Sequence, residues 1–390
     1  MVQVDLTRFI SSRKAKIFKN RDSLSSKVIP DELPHREEEI EEVAFNLSWV
    51  LENSTPSNMM IYGPPGCGKT VTILKVLEEL NKHIEINGLA AATCYTLTSN
   101  TDVKTLAKLC ESLGLRVPKR GISFQELWDL FTSSIKGKKV IVVLDEIDRM
   151  LKFEKGEHLL YNLTRHPDIC TVGISNIVNV VEMVKDERVL SSWNPRRIVF
   201  ERYGVEELFD ILKYRSSLAF YEGVVSDELL KLISALAVKR GGDVRYALDL
   251  LMVAGDMALV KGSDRIIEDY VREAVNKVEK DFIRRSVRSL RYPEKILLLV
   301  VASNPGISPE RAYEEANRLL NQYFGEKLSK RRWSDYRCNL NLWGYIDLIA
   351  KGKGKRKGVD WKLFVSEEME PDLVIETLRE ELDYWKKVLG

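Results

Sequence analysis

The stretch GPPGCGKT, Gly63–Thr70, limits this chain to few folds. An apolar run, Met59–Tyr62, leads into it. Val71–Leu80 follows, with Leu74, Val76, Leu77 and Leu80 at helical spacing. Strand, bare loop and helix in this order form a G-x-x-x-x-G-K-[ST] loop in an α/β sheet. The residues Gly63, Pro64, Pro65, Gly66, Cys67 and Gly68 leave the backbone nearly uncovered. Successive N–H groups can then turn inward on a polyphosphate. The helix that follows adds the positive end of its dipole. Lys69 is placed to reach the β- and γ-phosphates, and Thr70 to offer its hydroxyl to Mg²⁺. ATP or ADP with Mg²⁺ is the expected ligand, and Cys67 reads as a small filler within the cradle.

Two further strands belong to the same site. Val140–Leu144, VIVVL, is a β-branched run suited to a sheet centre. It ends on Asp145, expected to hold the Mg²⁺ shell, and Glu146, expected to polarise an attacking water. The run CTVGISN closes on Asn176. A polar residue at the C-terminal end of a sheet strand faces the ligand crevice. Asn176 is therefore expected to sense the γ-phosphate through that water.

At 390 residues the chain is too long for one core, and two or three domains are expected. No apolar run reaches the ~20 residues of a membrane helix. Five scattered cysteines without a CxxC pair argue against a disulfide framework or a zinc site and for a reducing cytosol. The net charge of +2 hides strong local charge. Lys327–Lys362 holds eleven Lys or Arg against three acids, and Ser366–Gly390 holds eight acids against three bases. The first 29 residues carry seven bases and two acids.

The ordered set of motifs resembles the AAA+ ATPases, and more narrowly the archaeal replication initiators of the origin-recognition and Cdc type. The likeness is carried by LPHREEEI, LRVPKRG, LDEIDRM, LLYNLTR, GISN, DERVLSSWNPRRIVFERY, ILKYR and GGDVRYALDLL, and it spans nearly the whole chain. It implies a parallel-sheet ATPase core over 30–203 after a basic segment at 1–29. A small all-α lid would follow over 204–280, then a winged helix-turn-helix domain over 281–390. It implies that Arg188 is an arginine finger completing a neighbour's ATP site, and that Arg245 is a second sensor on the lid. Tyr203 and Arg215 would line the nucleotide pocket, and Arg36 would sit near the base or ribose. Trp193 and Tyr246 depart from the family pattern, the first standing for a smaller apolar residue and the second for an Arg.

The residues beyond 281 support the last domain independently. FIRRSVRSLRYP reads as a basic connector. Three helical patterns follow: PEKILLLVVASN, SPERAYEEANRLLNQYF with Ser308 as cap and Pro309 at its first position, and SKRRWSDYRCNLNLWG. A hairpin with the tip KGKGKRKG comes next. In a helix-turn-helix the last of three such helices enters the major groove, here with Lys330, Arg331, Arg332 and Arg337. The tip residues Lys351, Lys353, Lys355, Arg356 and Lys357 would follow phosphates or probe the minor groove. The resemblance implies one more DNA contact, a helical insertion over about Thr101–Phe124 containing Arg116, Lys119 and Arg120. The acidic end reads as an amphipathic helix packed on the same domain.

The leading expectation is an ATP-dependent initiator that binds origin double-stranded DNA and helps load the replicative helicase, with paralogous initiator subunits as possible neighbours. ATP would act as a slowly hydrolysed switch, in a cytoplasmic, nucleoid-associated protein with no membrane partner. A paralogue that regulates initiation or transcription without loading helicase is the alternative. A signalling ATPase with an appended winged helix is the third reading.

Overall fold

The structure is a computed structural model that describes residues 16–118, 121–152, 156–353 and 357–389. The chain divides into two compact units, one ending at residue 271 and the other beginning at 272.

The first unit is built on five strands, β1 (Met59–Tyr62), β2 (Ala91–Leu97), β3 (Lys139–Asp145), β4 (Ile169–Ser175) and β5 (Arg196–Val199). All pairs are parallel and the order is β2-β3-β4-β1-β5. A parallel sheet needs cover on both faces, and alternation along each strand sorts the side chains to two cores. Met59, Ile61, Ile141 and Val143 share one buried cluster. It includes Val43 and Leu47 of α1 (Glu37–Ser48) and Ile73 and Val76 of α2 (Lys69–Asn87). Met60, Val140, Val142 and Leu144 share the other. That cluster takes residues from α3 (Asp102–Ser112), α4 (Phe124–Ser134), α5 (Ile147–Leu151), α6 (Gly156–Arg165) and α7 (Glu187–Trp193). Trp193 is fully buried there.

The strand order positions the chemistry. β4 lies between β1 and β3, so the residue after β4 comes between the loop after β1 and the acids after β3. Asn176 is brought to the site by topology rather than by sequence proximity.

Three helices follow in the same unit, α8 (Val205–Ala219), α9 (Asp227–Lys239) and α10 (Val244–Val260). Gly241 and Gly242 have φ of 95° and 75°, left-handed values that glycine adopts without a Cβ penalty, and they end α9. Asp243 then caps α10, its side chain accepting from the Arg245 N–H. Residues 16–35 run along these helices. Phe18 stacks on Phe220 with ring centroids 5.0 Å apart. Arg21 makes a two-pronged pair with Asp256.

The second unit contains most of α11 (Glu268–Ser289), then α12 (Tyr292–Ser303), α13 (Pro309–Phe324), α14 (Lys330–Leu342), the antiparallel pair β6 (Ile346–Lys353) and β7 (Lys357–Val365), and α15 (Pro371–Leu389). Ile307, between α12 and α13, bridges to Leu363 of β7. Ser308 and Ser329 cap α13 and α14, as their sequence positions indicate.

The stretch beginning FIRRSVRS departs from the expected connector, because it is helical and continues α11 to Ser289. Ile283 and Val287, four apart, bury one side of it in the core of this unit. The acidic end supplies partners for the bases of this stretch and its flanks. Lys280 pairs with Glu370, Arg284 with Glu376, Arg288 with Glu380, and the buried Lys295 with Glu381. The first three pairs are exposed, so each contributes at most about 1 kcal/mol.

Four of the five cysteines are buried and Cys338, on α14, is exposed. Burial pushes the thiols of Cys94 and Cys170 up to about 12 and that of Cys110 to about 11. Only a thiolate reacts readily with a disulfide reagent. Titration of the native protein with an aromatic disulfide at pH 8 should release one fast equivalent per chain. Denaturant should expose all five cysteines.

Candidate nucleotide site

A cavity of about 450 Å³ opens where β1, β3 and β4 end, within the usual range for a cofactor site. Gly66, Gly68, Lys69, Thr70, Asp145, Glu146, Asn176, Tyr203, Arg215 and Arg245 all line it. Residues drawn from six separated parts of the sequence therefore converge on one space.

The loop is shaped by what lies behind it. A Cβ on Gly63 would stand 2.2 Å from the carbonyl oxygen of Phe200. One on Gly68 would stand 2.8 Å from the Tyr203 hydroxyl. One on Gly66, at φ 74°, would stand 1.9 Å from Asp243 Oδ1 and 2.9 Å from the Asp243 Cα. The N–H of Val244 also donates to the Gly66 carbonyl. The N-terminal end of α10 thus rests on the phosphate loop, with Arg245 one residue further on, exposed and facing the cavity. Cys67 is a buried filler whose thiol donates to the Pro64 carbonyl.

Lys69 is buried, and its ammonium donates to the carbonyls of Gly63 and Pro64 at 2.7 and 2.6 Å. Burial holds its pKa below the ordinary lysine value, and the charge of Arg245 adds to the effect. A cationic centre of this kind suits polyphosphate. The opposite wall carries the acids. Thr70 donates its hydroxyl to Asp145 Oδ2 at 2.9 Å. Mg²⁺ uses one or two carboxylates together with phosphate oxygens and water. Thr70 and Asp145, hydrogen-bonded to each other on the wall of the cavity, match that requirement. Glu146 adopts φ 53°, a left-handed backbone that costs a non-glycine residue about 1–2 kcal/mol. It pairs with Arg149 at the cavity wall.

Two arginines hold main-chain carbonyls. Arg36 does not line the cavity. It is buried, with Nε donating to the Cys67 carbonyl at 2.9 Å and a terminal nitrogen to the Glu201 carbonyl at 2.8 Å. Its guanidinium lies 3.9 Å from the centre of the Tyr203 ring. It fastens the phosphate loop to the segment between β5 and α8, because carbonyls of both surround it. Arg215 lines the cavity, but it donates to the carbonyls of Ser25 and Val28. Burial lowers its pKa. It therefore holds the segment 25–28, which with Ile29, Pro30, Leu33 and Pro34 walls one side of the cavity. The part of that wall before Leu33 carries no motif and was missed in the sequence, as was Tyr95, whose hydroxyl donates to Asp145 Oδ2 at 2.7 Å.

Arg188 lies apart, in a second depression with Asp186, Tyr161, His158 and Glu157. It is exposed, paired with Asp186 and 5.5 Å from the centre of the Tyr161 ring. In the second unit Lys330, Arg331 and Arg332 are exposed on the first turn of α14, and Arg337 is half-buried. Lys351, Lys353 and Lys357 fall on β6 and β7. Lys355 and Arg356 lie outside the described residues, as do Lys119 and Arg120, while Arg116 is exposed after α3.

The sheet, the loop, its acid pair and the helical lid define a protein of the AAA+ class. Residues 52–177 match the family model of the AAA domain, and 209–276 match that of the Cdc6 AAA+ ATPase-type lid domain. The chain belongs to the ORC1-type DNA replication proteins. It is 38% identical over 371 residues to an ORC1-type DNA replication protein of Methanothermobacter thermautotrophicus, covering 95% of this chain and 99% of that one. It is 37% identical over 356 residues to ORC1-type DNA replication protein 1 of Archaeoglobus fulgidus, covering 87% and 86%. The structure of the Aeropyrum pernix ORC1 protein in complex with DNA matches with a TM-score of 0.86 at 31% identity, over 97% of this chain and 100% of that one. The Aeropyrum pernix ORC2 protein, solved as ADPNP–ADP complexes, shares the fold at a TM-score of 0.61 and 22% identity, over 96% and 100%.

The contact at Gly66 is testable. In Gly66→Ala a Cβ meets Asp243 side chain and backbone in a left-handed conformation, so ADP affinity should fall by about tenfold or more. Titration with a fluorescent ADP analogue measures this, with circular dichroism confirming the fold.

Proposed function

We propose that this protein is an ATP-dependent replication initiator. It binds origin double-stranded DNA, helps recruit or load the replicative helicase, and uses slowly hydrolysed ATP as a conformational switch. The observation that carries the reading is the seating of the N-terminal end of α10 on the phosphate loop, through Asp243 and Val244 against Gly66. A γ-phosphate held by Lys69 is then also within the province of Arg245, so ATP and ADP differ in their hold on the lid. Bound Mg²⁺ would screen phosphate charge, with Thr70 and Asp145 as its protein ligands or water holders. Glu146 and Asn176 would orient the attacking water, and Arg188 of one chain would complete the ATP site of its neighbour. Residues 30–203 are the ATPase core in this scheme, 204–280 the lid and 281–390 the winged-helix domain.

DNA binding is supported by the first turn of α14. A helix N-terminus favours acids, yet Lys330, Arg331 and Arg332 stand there with no acid in that turn. Three cations that disfavour the helix locally are well suited to an external anion. The N-terminal residues of such a helix are those that reach base edges. The related Aeropyrum pernix ORC1 protein was solved in complex with DNA.

Two measurements test the two halves. Lys69→Ala should weaken ATP binding by roughly a hundredfold, the cost of removing one partner of a buried charge pair, while duplex binding by the nucleotide-free protein stays near wild type. Unchanged ATP affinity would refute the phosphate cradle. Arg331→Ala with Arg332→Ala should make the plot of log affinity for duplex against log salt shallower by about two units. An unaltered slope together with unaltered affinity would remove α14 from the DNA interface.

A further inference from the structure

Asp145 ends β3 and is buried. Its two oxygens are occupied unequally. Oδ1 accepts one hydrogen bond, from the Glu146 N–H at 2.8 Å. Oδ2 accepts two, from the Thr70 hydroxyl at 2.9 Å and the Tyr95 hydroxyl at 2.7 Å. A carboxylate oxygen offers about two acceptor positions. Oδ2 is therefore filled, and the remaining capacity of Asp145 lies on Oδ1.

Tyr95 is well placed to enforce this division. It pairs with Val143 in the β2–β3 register, and Leu97 pairs with Asp145 itself. Its ring packs on the cluster that holds Ile73 and Val76 of α2, the helix that begins with Lys69 and Thr70. One rigid aromatic side chain thus links the edge strand β2 to the acid at the end of β3. A phenol is protonated at neutral pH, so its hydroxyl is available as the donor to Asp145. The competing explanation is that the ring simply fills the space between β2 and α2 and that the hydroxyl contributes only to stability.

We infer that Tyr95 is a positioning residue for the Mg²⁺–nucleotide site, its hydroxyl holding the Asp145 carboxylate in the plane that leaves Oδ1 as the acceptor for the metal's hydration shell. This rests on the proposed role of Asp145 toward Mg²⁺. Without Tyr95 the carboxylate keeps one bond on each oxygen, from the Thr70 hydroxyl and the Glu146 N–H, and Oδ2 has an open acceptor position. The Tyr95 bond, arriving from β2, fills that position and adds a third point of attachment.

Tyr95→Phe deletes one oxygen and keeps the ring in its packing. The test is ATP affinity of the full chain, read with a fluorescent analogue first in EDTA and then across a Mg²⁺ titration. The Mg²⁺ midpoint should rise by about tenfold while affinity in EDTA stays within about twofold, as expected for loss of an outer-sphere partner. Asp145→Asn should also raise the midpoint, and Tyr95→Phe combined with Asp145→Asn should add nothing further, because the two act through one group. A midpoint unchanged in Tyr95→Phe overturns the inference. So do equal losses with and without Mg²⁺, which would mark a structural role, or additive effects in the double variant. A wild-type protein that binds no nucleotide even in EDTA would overturn the proposed function, and this inference with it.

Discussion

The site depends on a close approach of two backbones. The phosphate loop and the first residues of α10 meet at Gly66, where not even a methyl group fits beside Asp243. That approach does several things at once. Asp243 caps its own helix through the Arg245 N–H. Val244 satisfies a carbonyl of the loop. Arg245 is delivered to the side of the cavity where its charge is felt by Lys69. A phosphate chain placed between these cations would relieve a repulsion that the fold builds in.

The acids opposite are handled with the same economy. A buried carboxylate is costly unless its acceptors are met. Asp145 meets that condition with a backbone N–H and two hydroxyls, none of them charged. None of its hydrogen-bond partners is a base, and the side chain lines the cavity. Glu146, by contrast, is balanced by Arg149. The two adjacent acids thus differ in availability because the strand end sends them to different surroundings.

Much of this was legible in the sequence, for identifiable reasons. Gly63–Thr70, the acid pair after VIVVL and the Gly241–Gly242–Asp243 junction are local patterns, and each dictates its own backbone geometry. Ser308 and Ser329 announced their helices in the same way. The roles of Arg36 and Arg215 were not legible. Their partners are main-chain carbonyls far away in sequence, and a carbonyl leaves no trace in residue identity. Tyr95 was hidden because a tyrosine in a β-strand reads as core, and only the β2–β3 register brings it to Asp145. The stretch beginning FIRRSVRS read as a connector because its charges stood out. The pairing of Ile283 and Val287 four residues apart carried the helical signal instead.

The segment at 16–35 is tied to the lid at almost every step. Backbone bonds join it to Ala219 and Tyr221, Glu32 reaches Tyr214, His35 meets Asp210, and Arg215 holds the carbonyls of Ser25 and Val28. The same stretch forms the flank of the cavity beside Tyr203 and Leu248. If the lid shifts with the terminal phosphate as proposed, it would carry this flank along. In the proposed switch the entrance for a fresh nucleotide would widen or narrow with it, and exchange would become a peeling event at the joint between Gly66 and Asp243.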